Sequence, residues 1–444
     1  MMLRIQEIIT LLRASKLVDF DAWHGRIVVW LAAITAGFVV VMFAKATEYA
    51  INYFFVWQKA YWWLPLLVTP IGGFLIVWVT NRWFVGAGGS GIPQTIAALH
   101  EHGTRGAQST LISLKLAFGK IFLGISTLAV GFSVGREGPS VQVAASIMHT
   151  FRRYLPADFA VDSKHLILAG GAAGISAAFN TPLAGIVFAI EELGRRFEQK
   201  TNGVIITAIV LSGLVSISLQ GNYTYFGKLS VGVIDKNILL PVLACGLVCG
   251  FFGGIFSRTL LESTDKIKNT KIGLFRAVHP LWWAASCGLI VALLGIISNG
   301  SVHGSGYMFT REMLNGNITE TWQFAPIKYL ATIFTYLSGV PGGIFAPSLS
   351  IGAGIGNDML PLFRHYHAAT AISVLCMAGF LAAVTQAPLT SFIIVMEMID
   401  GHEMVISLMA IALISSIVSR IFSPPLYATL AEKQLKFIKG NNIQ

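Results

Sequence analysis

The chain has 444 residues, 55% of them hydrophobic and 12% charged, with a mean hydropathy of +0.69 and a formal net charge of +10. That balance excludes an ordinary soluble globular protein and points to a polytopic, all-α membrane protein. The positive charge does not mark a nucleic-acid partner, because the basic residues stand at the ends of apolar segments. They are Arg4, Arg13, Lys16 and Arg26; Arg152 and Arg153; Arg195, Arg196 and Lys200; Lys266, Lys268, Lys271 and Arg276; and Lys433, Lys436 and Lys439. Flanks of this kind follow the positive-inside rule, contact membrane lipids, and favour both termini in the cytoplasm.

Residues 1–26 form an N-terminal segment in which Leu3, Ile5, Ile8, Ile9, Leu11 and Leu12 alternate with Arg4, Glu7 and Arg13. This suits an amphipathic helix lying on the membrane rather than a cleavable signal. A first transmembrane repeat is expected over residues 27–220, with spanning runs Ile27–Phe43, Tyr61–Val79 and Gly203–Leu219. A second is expected over 237–421, with Ile238–Phe256, Leu281–Ile297 and Val405–Val418, followed by a short C-terminal segment, 422–444. Each run approaches the ~20 residues that cross ~30 Å of hydrocarbon. Between them lie shorter apolar stretches broken by Gly and Pro, which a membrane tolerates only inside protein. Gly246, Gly250 and Gly254 share one helical face and suit close helix packing. Cys245, Cys249, Cys287 and Cys376 all fall in apolar segments without clustered histidines, so they read as packing residues; neither a metal nor a cofactor is expected.

The hexapeptide Gly135-Arg136-Glu137-Gly138-Pro139-Ser140 interrupts this pattern. From Ile121 to Phe151 it holds the only Asp, Glu, Lys or Arg. A charge at such depth costs on the order of 2.5–3.5 kcal/mol on insertion scales and marks an ion or proton pathway. The glycines and Pro139 break one helix and start another, and a helix N-terminus inside a membrane is a ready anion site.

The chain also repeats itself. Gly89-Ser90-Gly91 returns as Gly304-Ser305-Gly306, and Gly138-Pro139-Ser140 as Ala346-Pro347-Ser348. Lys120 and Lys328 stand at the same distance before those prolines. Thr181-Pro182-Leu183, leading to Glu191-Glu192, is echoed by Ala387-Pro388-Leu389, leading to Glu397. Matches in one order at near-constant offset, with broken helices at equivalent places, are the sign of a transporter whose site lies between its halves.

Four segments carry the chemistry: Gly88-Gly89-Ser90-Gly91-Ile92-Pro93, the Glu137 hexapeptide, Gly342-Gly343-Ile344-Phe345-Ala346-Pro347, and Pro424-Pro425-Leu426-Tyr427. With Asn180-Thr181-Pro182-Leu183-Ala184-Gly185 running into Glu191-Glu192, they resemble the CLC family of chloride channels and chloride/proton exchangers, from about residue 25 to 430. The resemblance implies about 18 helices of uneven length in two inverted-topology repeats. It implies a central chloride site made by the hydroxyls of Ser90 and Tyr427 and the amides of Ile344 and Phe345. The amides of Gly135, Arg136, Glu137 and Gly138 would make an outer site. Amides and hydroxyls suit a conducted ion, since a buried cation would hold chloride too tightly.

Glu137 becomes gate and proton acceptor together: ionised, it fills an anion site; protonated, it swings away. Arg136 reads as local electrostatic support. Glu192 takes the family's inner proton-transfer position, while Glu191 reads as a solvated helix-end carboxylate paired with Arg195, Arg196 and Lys200. Water is left to carry the proton between Glu137 and Glu192. The function implied is secondary active exchange of chloride for protons by a homodimer in a bacterial inner membrane, one pathway per subunit; the alternative is a passive voltage- or pH-gated chloride channel on the same fold. An intramembrane enzyme is disfavoured, because no Ser/Lys, Asp/Asp or HExxH-like set lies in the apolar segments. With about 17 residues after Tyr427, no paired cytoplasmic nucleotide-binding (CBS) modules are expected. Gln94, Ile96 and His100 stand where several bacterial exchangers carry carboxylates. His100 and His102 read as helix-end surface residues, and serine at position 90 favours chloride over nitrate or fluoride.

Overall fold

The computed structural model describes residues 20–101, 110–157, 159, 161–194, 202–221, 223–227, 229, 238–265, 270–317, 322–366 and 369–441. The N-terminal amphipathic stretch, His102, Arg195, Arg196, Lys200, Lys266 and Lys268 lie outside them. Among the described residues there are eighteen α-helices and no strand.

The first half holds α1 (Phe20–Ala60), α2 (Pro65–Trp83), α3 (Ile92–His100), α4 (Leu114–Ala129), α5 (Glu137–Thr150), α6 (Ser163–Phe179), α7 (Pro182–Phe188) and α8 (Asn202–Gln220). The second holds α9 (Leu239–Asp265), α10 (Lys271–Val278), α11 (Pro280–Ile297), α12 (Tyr307–Leu314), α13 (Phe324–Ser338), α14 (Phe345–Met359), α15 (Ala369–Thr385), α16 (Pro388–Ile399) and α17 (Val405–Phe422). The last helix is α18 (Leu426–Asn441). Helices α1, α2, α8, α9, α11 and α17 are long and apolar enough to cross a membrane, one for each spanning run expected from the sequence. Among the shorter helices, α3, α5 and α14 start at Gly/Pro breaks, and their first turns are buried.

Helix α1 is longer than its apolar run: 41 residues, about 60 Å at 1.5 Å per residue. It continues through Lys45 and Glu48 because both charges find partners. Lys45 Nζ donates to the Leu219 carbonyl near the end of α8 at 3.0 Å, and Glu48 lies 4.0 Å from Arg136.

The halves are packed by the same rules. Helix α5 lies on α6 as α14 lies on α15, and α1 lies on α8 as α9 lies on α17, while the counterparts α2 and α11 pack directly together, as do α7 and α16. Asn180 and Gln386 end α6 and α15 in the left-handed region, at φ 58° and 59°. Their side-chain amides donate to the Tyr223 and Ser423 carbonyls at 2.9 and 2.7 Å, just beyond α8 and α17. These long-range bonds tie each helix end to the segment beyond the neighbouring helix and hold the left-handed residue in place. Glycines set the α9–α17 seam: a Cβ on Gly250 would lie 2.6 Å from the Val418 Cβ, and one on Gly246 2.8 Å from Ile414. All four cysteines are buried and unpaired, and the Cys249 thiol donates to the Cys376 carbonyl at 3.6 Å, joining α9 to α15.

Candidate functional site

Four helices, α3, α5, α14 and α18, begin near one point. What holds them there is a set of backbone bonds between the loops that precede them. Gly135 and Gly343 exchange N–H···O bonds of 2.7 Å each, one loop from either half, and the Gly342 N–H donates to the Gly89 carbonyl at 3.1 Å. The first-turn N–H groups of a helix have no intrahelical acceptor, so this convergence gathers unsatisfied donors and the positive ends of several helix dipoles in a buried place.

The turn bearing Ser90 is shaped by its glycines and held by two side chains. Gly86, Gly89 and Gly91 have φ of 102°, 67° and 103°. From α4, the buried Lys120 ammonium donates to the carbonyls of Ala87, Gly88 and Gly89 at 2.7, 3.3 and 2.8 Å. From α3, Gln94 reaches back: its Nε2 donates to the Gly88 carbonyl at 2.7 Å while its Oε1 accepts from the Gly91 N–H at 2.9 Å. Lys120 therefore spends its charge on carbonyl oxygens whose negative ends would otherwise face the site. The second half repeats the device, with buried Lys328 donating to Val302 and Gly304 at 2.8 Å each.

Ser90 and Tyr427 end up buried and near each other, and neither hydroxyl closes a well-formed hydrogen bond. They face a common gap, Ser90 from the turn before α3 and Tyr427 from the first turn of α18. Ile344 and Phe345 open α14 beside them, and the Phe345 ring stacks on the Tyr427 ring with centroids 6.0 Å apart and planes 11° off parallel. A Cβ on Gly138 would strike the Ser90 hydroxyl, so that close approach requires glycine.

Glu137, the first residue of α5, is 0% exposed. Its carboxylate folds back over Gly135 and has the N–H groups of Arg136, Glu137 and Ala346 within reach, yet neither oxygen closes a well-formed hydrogen bond. The group thus sits between the N-termini of α5 and α14, one from each half. Arg136 points the other way: its guanidinium donates to the Ala44 carbonyl at 2.5 Å and to the Thr47 hydroxyl at 3.4 Å. Over Glu137 opens a cavity of about 560 Å³, lined by Lys45, Glu48, Arg136, Tyr223, Tyr225 and Tyr307 among others.

On the far side of the Ser90–Tyr427 gap stand Phe345 and Phe188, edge to face at 6.2 Å, with Phe179 6.3 Å from Phe345. Beyond Phe188 the chain widens into a single π-helical turn, Ala189–Gly194, which packs against α3. Glu192 on this turn is buried. The Tyr427 hydroxyl is close enough to both glutamates to feel the charge on each.

Glu191 departs from the sequence reading. It is not a solvated helix-end group: its carboxylate accepts from the Leu389 and Thr390 N–H groups at 3.0 and 2.6 Å, capping α16. A bare helix start in an apolar setting needs such an acceptor, and a neighbouring carboxylate supplies it with charge as well. Of the three residues that replace carboxylates, Gln94 is the bridge described above. Ile96 is buried, and His100 is exposed at the end of α3 with its Nδ1 2.9 Å from the Ile96 carbonyl. The lysine clamps and the Gln94 bridge escaped the sequence reading; the equal placement of Lys120 and Lys328 was their signal.

A family model described as voltage gated chloride channel matches residues 72–420. The H(+)/Cl(−) exchange transporter ClcA of Klebsiella pneumoniae subsp. pneumoniae is 31% identical over 92% of this chain and 89% of its own length. That of Salmonella typhimurium is 29% identical, over 92% and 89%. Among solved structures, a slow cyanobacterial Cl⁻/H⁺ antiporter superposes with a TM-score of 0.78 at 23% identity, covering 92% of this chain and 98% of its own. A CLC-type fluoride/proton antiporter gives 0.75 at 21%, covering 91% and 96%. With its motif loops drawn to one point and this match along most of its length, the chain belongs to the CLC family of voltage-gated chloride channels.

Proposed function

We propose that this protein exchanges chloride for protons across the membrane it spans. One observation carries the reading: two buried hydroxyls and one buried carboxylate, none with a well-formed hydrogen bond, meet at converging helix N-termini. Stripping a polar group of water without a hydrogen bond costs about 1–3 kcal/mol. Three such costs in one place are tolerated because an anion completes the coordination. Ser90, Tyr427 and the amides of Ile344 and Phe345 hold the central chloride; the amides of Gly135, Arg136, Glu137 and Gly138 hold an outer one. Among the described residues, the two buried cations nearest the gap are turned from it, Lys120 onto carbonyls and Arg136 toward α1. Binding is therefore weak enough for release.

The ionised Glu137 carboxylate is a tethered anion in the outer site. It blocks chloride there, and on protonation it leaves into the cavity above. Glu192 passes protons between the cytoplasm and Glu137, with water bridging the aromatic stretch past Phe188 and Phe345. Every group in this scheme comes from one chain, which suits a homodimer with one pathway per subunit. A bacterial inner membrane, cytoplasmic termini and transport without a cofactor complete the proposal.

Purified protein in lipid vesicles tests it. A chloride gradient is expected to drive protons uphill. Glu192→Val is expected to abolish proton movement while chloride continues, and Glu137→Gln to uncouple the two. Chloride flux without proton movement in the unaltered protein would instead make it a passive channel.

A further inference from the structure

The acids at the end of α7 divide into two kinds when the halves are compared. Counting from Pro182 and Pro388, Glu191 is the counterpart of Glu397, and Glu192 that of Met398. The Glu397 carboxylate accepts from the Leu183 and Ala184 N–H groups at 3.1 and 2.7 Å, as Glu191 accepts from Leu389 and Thr390. Each half thus caps the other half's short helix. The second half does this from a regular helix, with α16 running unbroken to Ile399 and Met398 fully buried. Only the first half widens into a π-helical turn, and only there does a second acid follow the cap.

We propose that Glu191 is a positioning residue for Glu192. Its two bonds to the start of α16 pin one side of the turn Ala189–Gly194. With Glu191 held to α16, the next residue is rotated by roughly a quarter of a turn about the helix axis, and Glu192 there is buried in a turn that packs on α3. Single π-helical turns of this kind recur at functional sites. The direction of the inner proton glutamate therefore depends on a contact between the two halves. This rests on the assignment of Glu192 to proton transfer.

The experiment compares symmetric deletions in vesicles, reading protons moved per chloride. Glu191→Ala is expected to lower the ratio by about threefold or more with chloride flux within about twofold of the parent, and Glu191→Gln, which keeps one acceptor oxygen, to restore most of it. Glu397→Ala, which removes the equivalent cap, is expected to leave the ratio unchanged. Should Glu191→Ala fail to fold, Glu191→Asp, one methylene short of α16, takes its place with the same expected loss. An unchanged ratio in that variant overturns the proposal, as does an equal loss in Glu397→Ala. Glu192→Val separates the two readings: if it stays coupled, the assignment of Glu192 falls and this inference with it. If it uncouples while the Glu191 variants do not, only the positioning role falls.

Discussion

Gln94 occupies a place where one side chain donates to the Gly88 carbonyl and accepts from the Gly91 N–H at once, which an amide does and an ionised carboxylate does not. An ionised Glu at this position would set an oxygen against the Gly88 carbonyl and leave that acceptor to the long bond from Lys120. Gln94→Glu is therefore expected to cost about 1–3 kcal/mol, seen as a lower midpoint in thermal unfolding of the detergent-solubilised protein. An unchanged midpoint would mean that the amide donor contributes nothing. The same attention to donors separates the two charges of the hexapeptide. Arg136 has its partners on α1, whereas Glu137 has N–H groups nearby and no closed bond. Both were legible as a buried anomaly in an apolar run. Their opposite directions were not, since Ala44 and Thr47 are far away in sequence.

At the scale of elements, the broken helices do what unbroken ones cannot. A spanning helix leaves its N-terminus at the membrane surface, while α3, α5, α14 and α18 start inside and bring first-turn N–H groups to the proposed anion site. The Gly and Pro residues at those starts made the breaks visible in the sequence. The seam of α9 against α17 was legible in the same way, from three glycines four residues apart. Gly250→Val would push methyl groups into Val418, whose Cβ already lies 2.6 Å from the position of an added Cβ. Overpacking of this kind costs about 1–3 kcal/mol, so the variant is expected to unfold at lower temperature. Leu247, exposed on the other face of α9, is expected to accept the same residue without loss. The reciprocal caps of α7 and α16 were not legible. A glutamate at a helix end beside arginines reads as a surface ion pair, and nothing local reveals that another helix begins next to it.

For the whole molecule, the halves are bound by exchanges: Glu191 for Glu397, Gly135 for Gly343, α2 against α11. Contacts that are each other's mirror are what a two-fold relation produces. The proposed anion site belongs to neither half, because α3 and α5 come from the first, α14 from the second and α18 from beyond both. An ion bound there ties these parts together and stabilises the native state by mass action, about 2.7 kcal/mol at one hundred times its dissociation constant. Replacing chloride with a large anion such as gluconate is expected to lower the thermal midpoint of the parent. In Tyr427→Phe the difference is expected to shrink. If chloride protects neither protein, the gap between Ser90 and Tyr427 is not its site.

The amino-acid sequence by itself determined the membrane class, the spanning runs, the duplicated order of motifs and the CLC family. Each of these is written in local composition or in the spacing of Gly, Pro and charge along one helix. Tertiary structure alone decided which carbonyls Lys120 and Lys328 hold, where Arg136 points, and that Glu191 faces α16 while Glu192 turns inside. Those outcomes rest on hydrogen bonds between groups as distant as Leu183 and Glu397. Hydrophobic periodicity sorts residues into faces, but it does not say which helix end a buried carboxylate will meet.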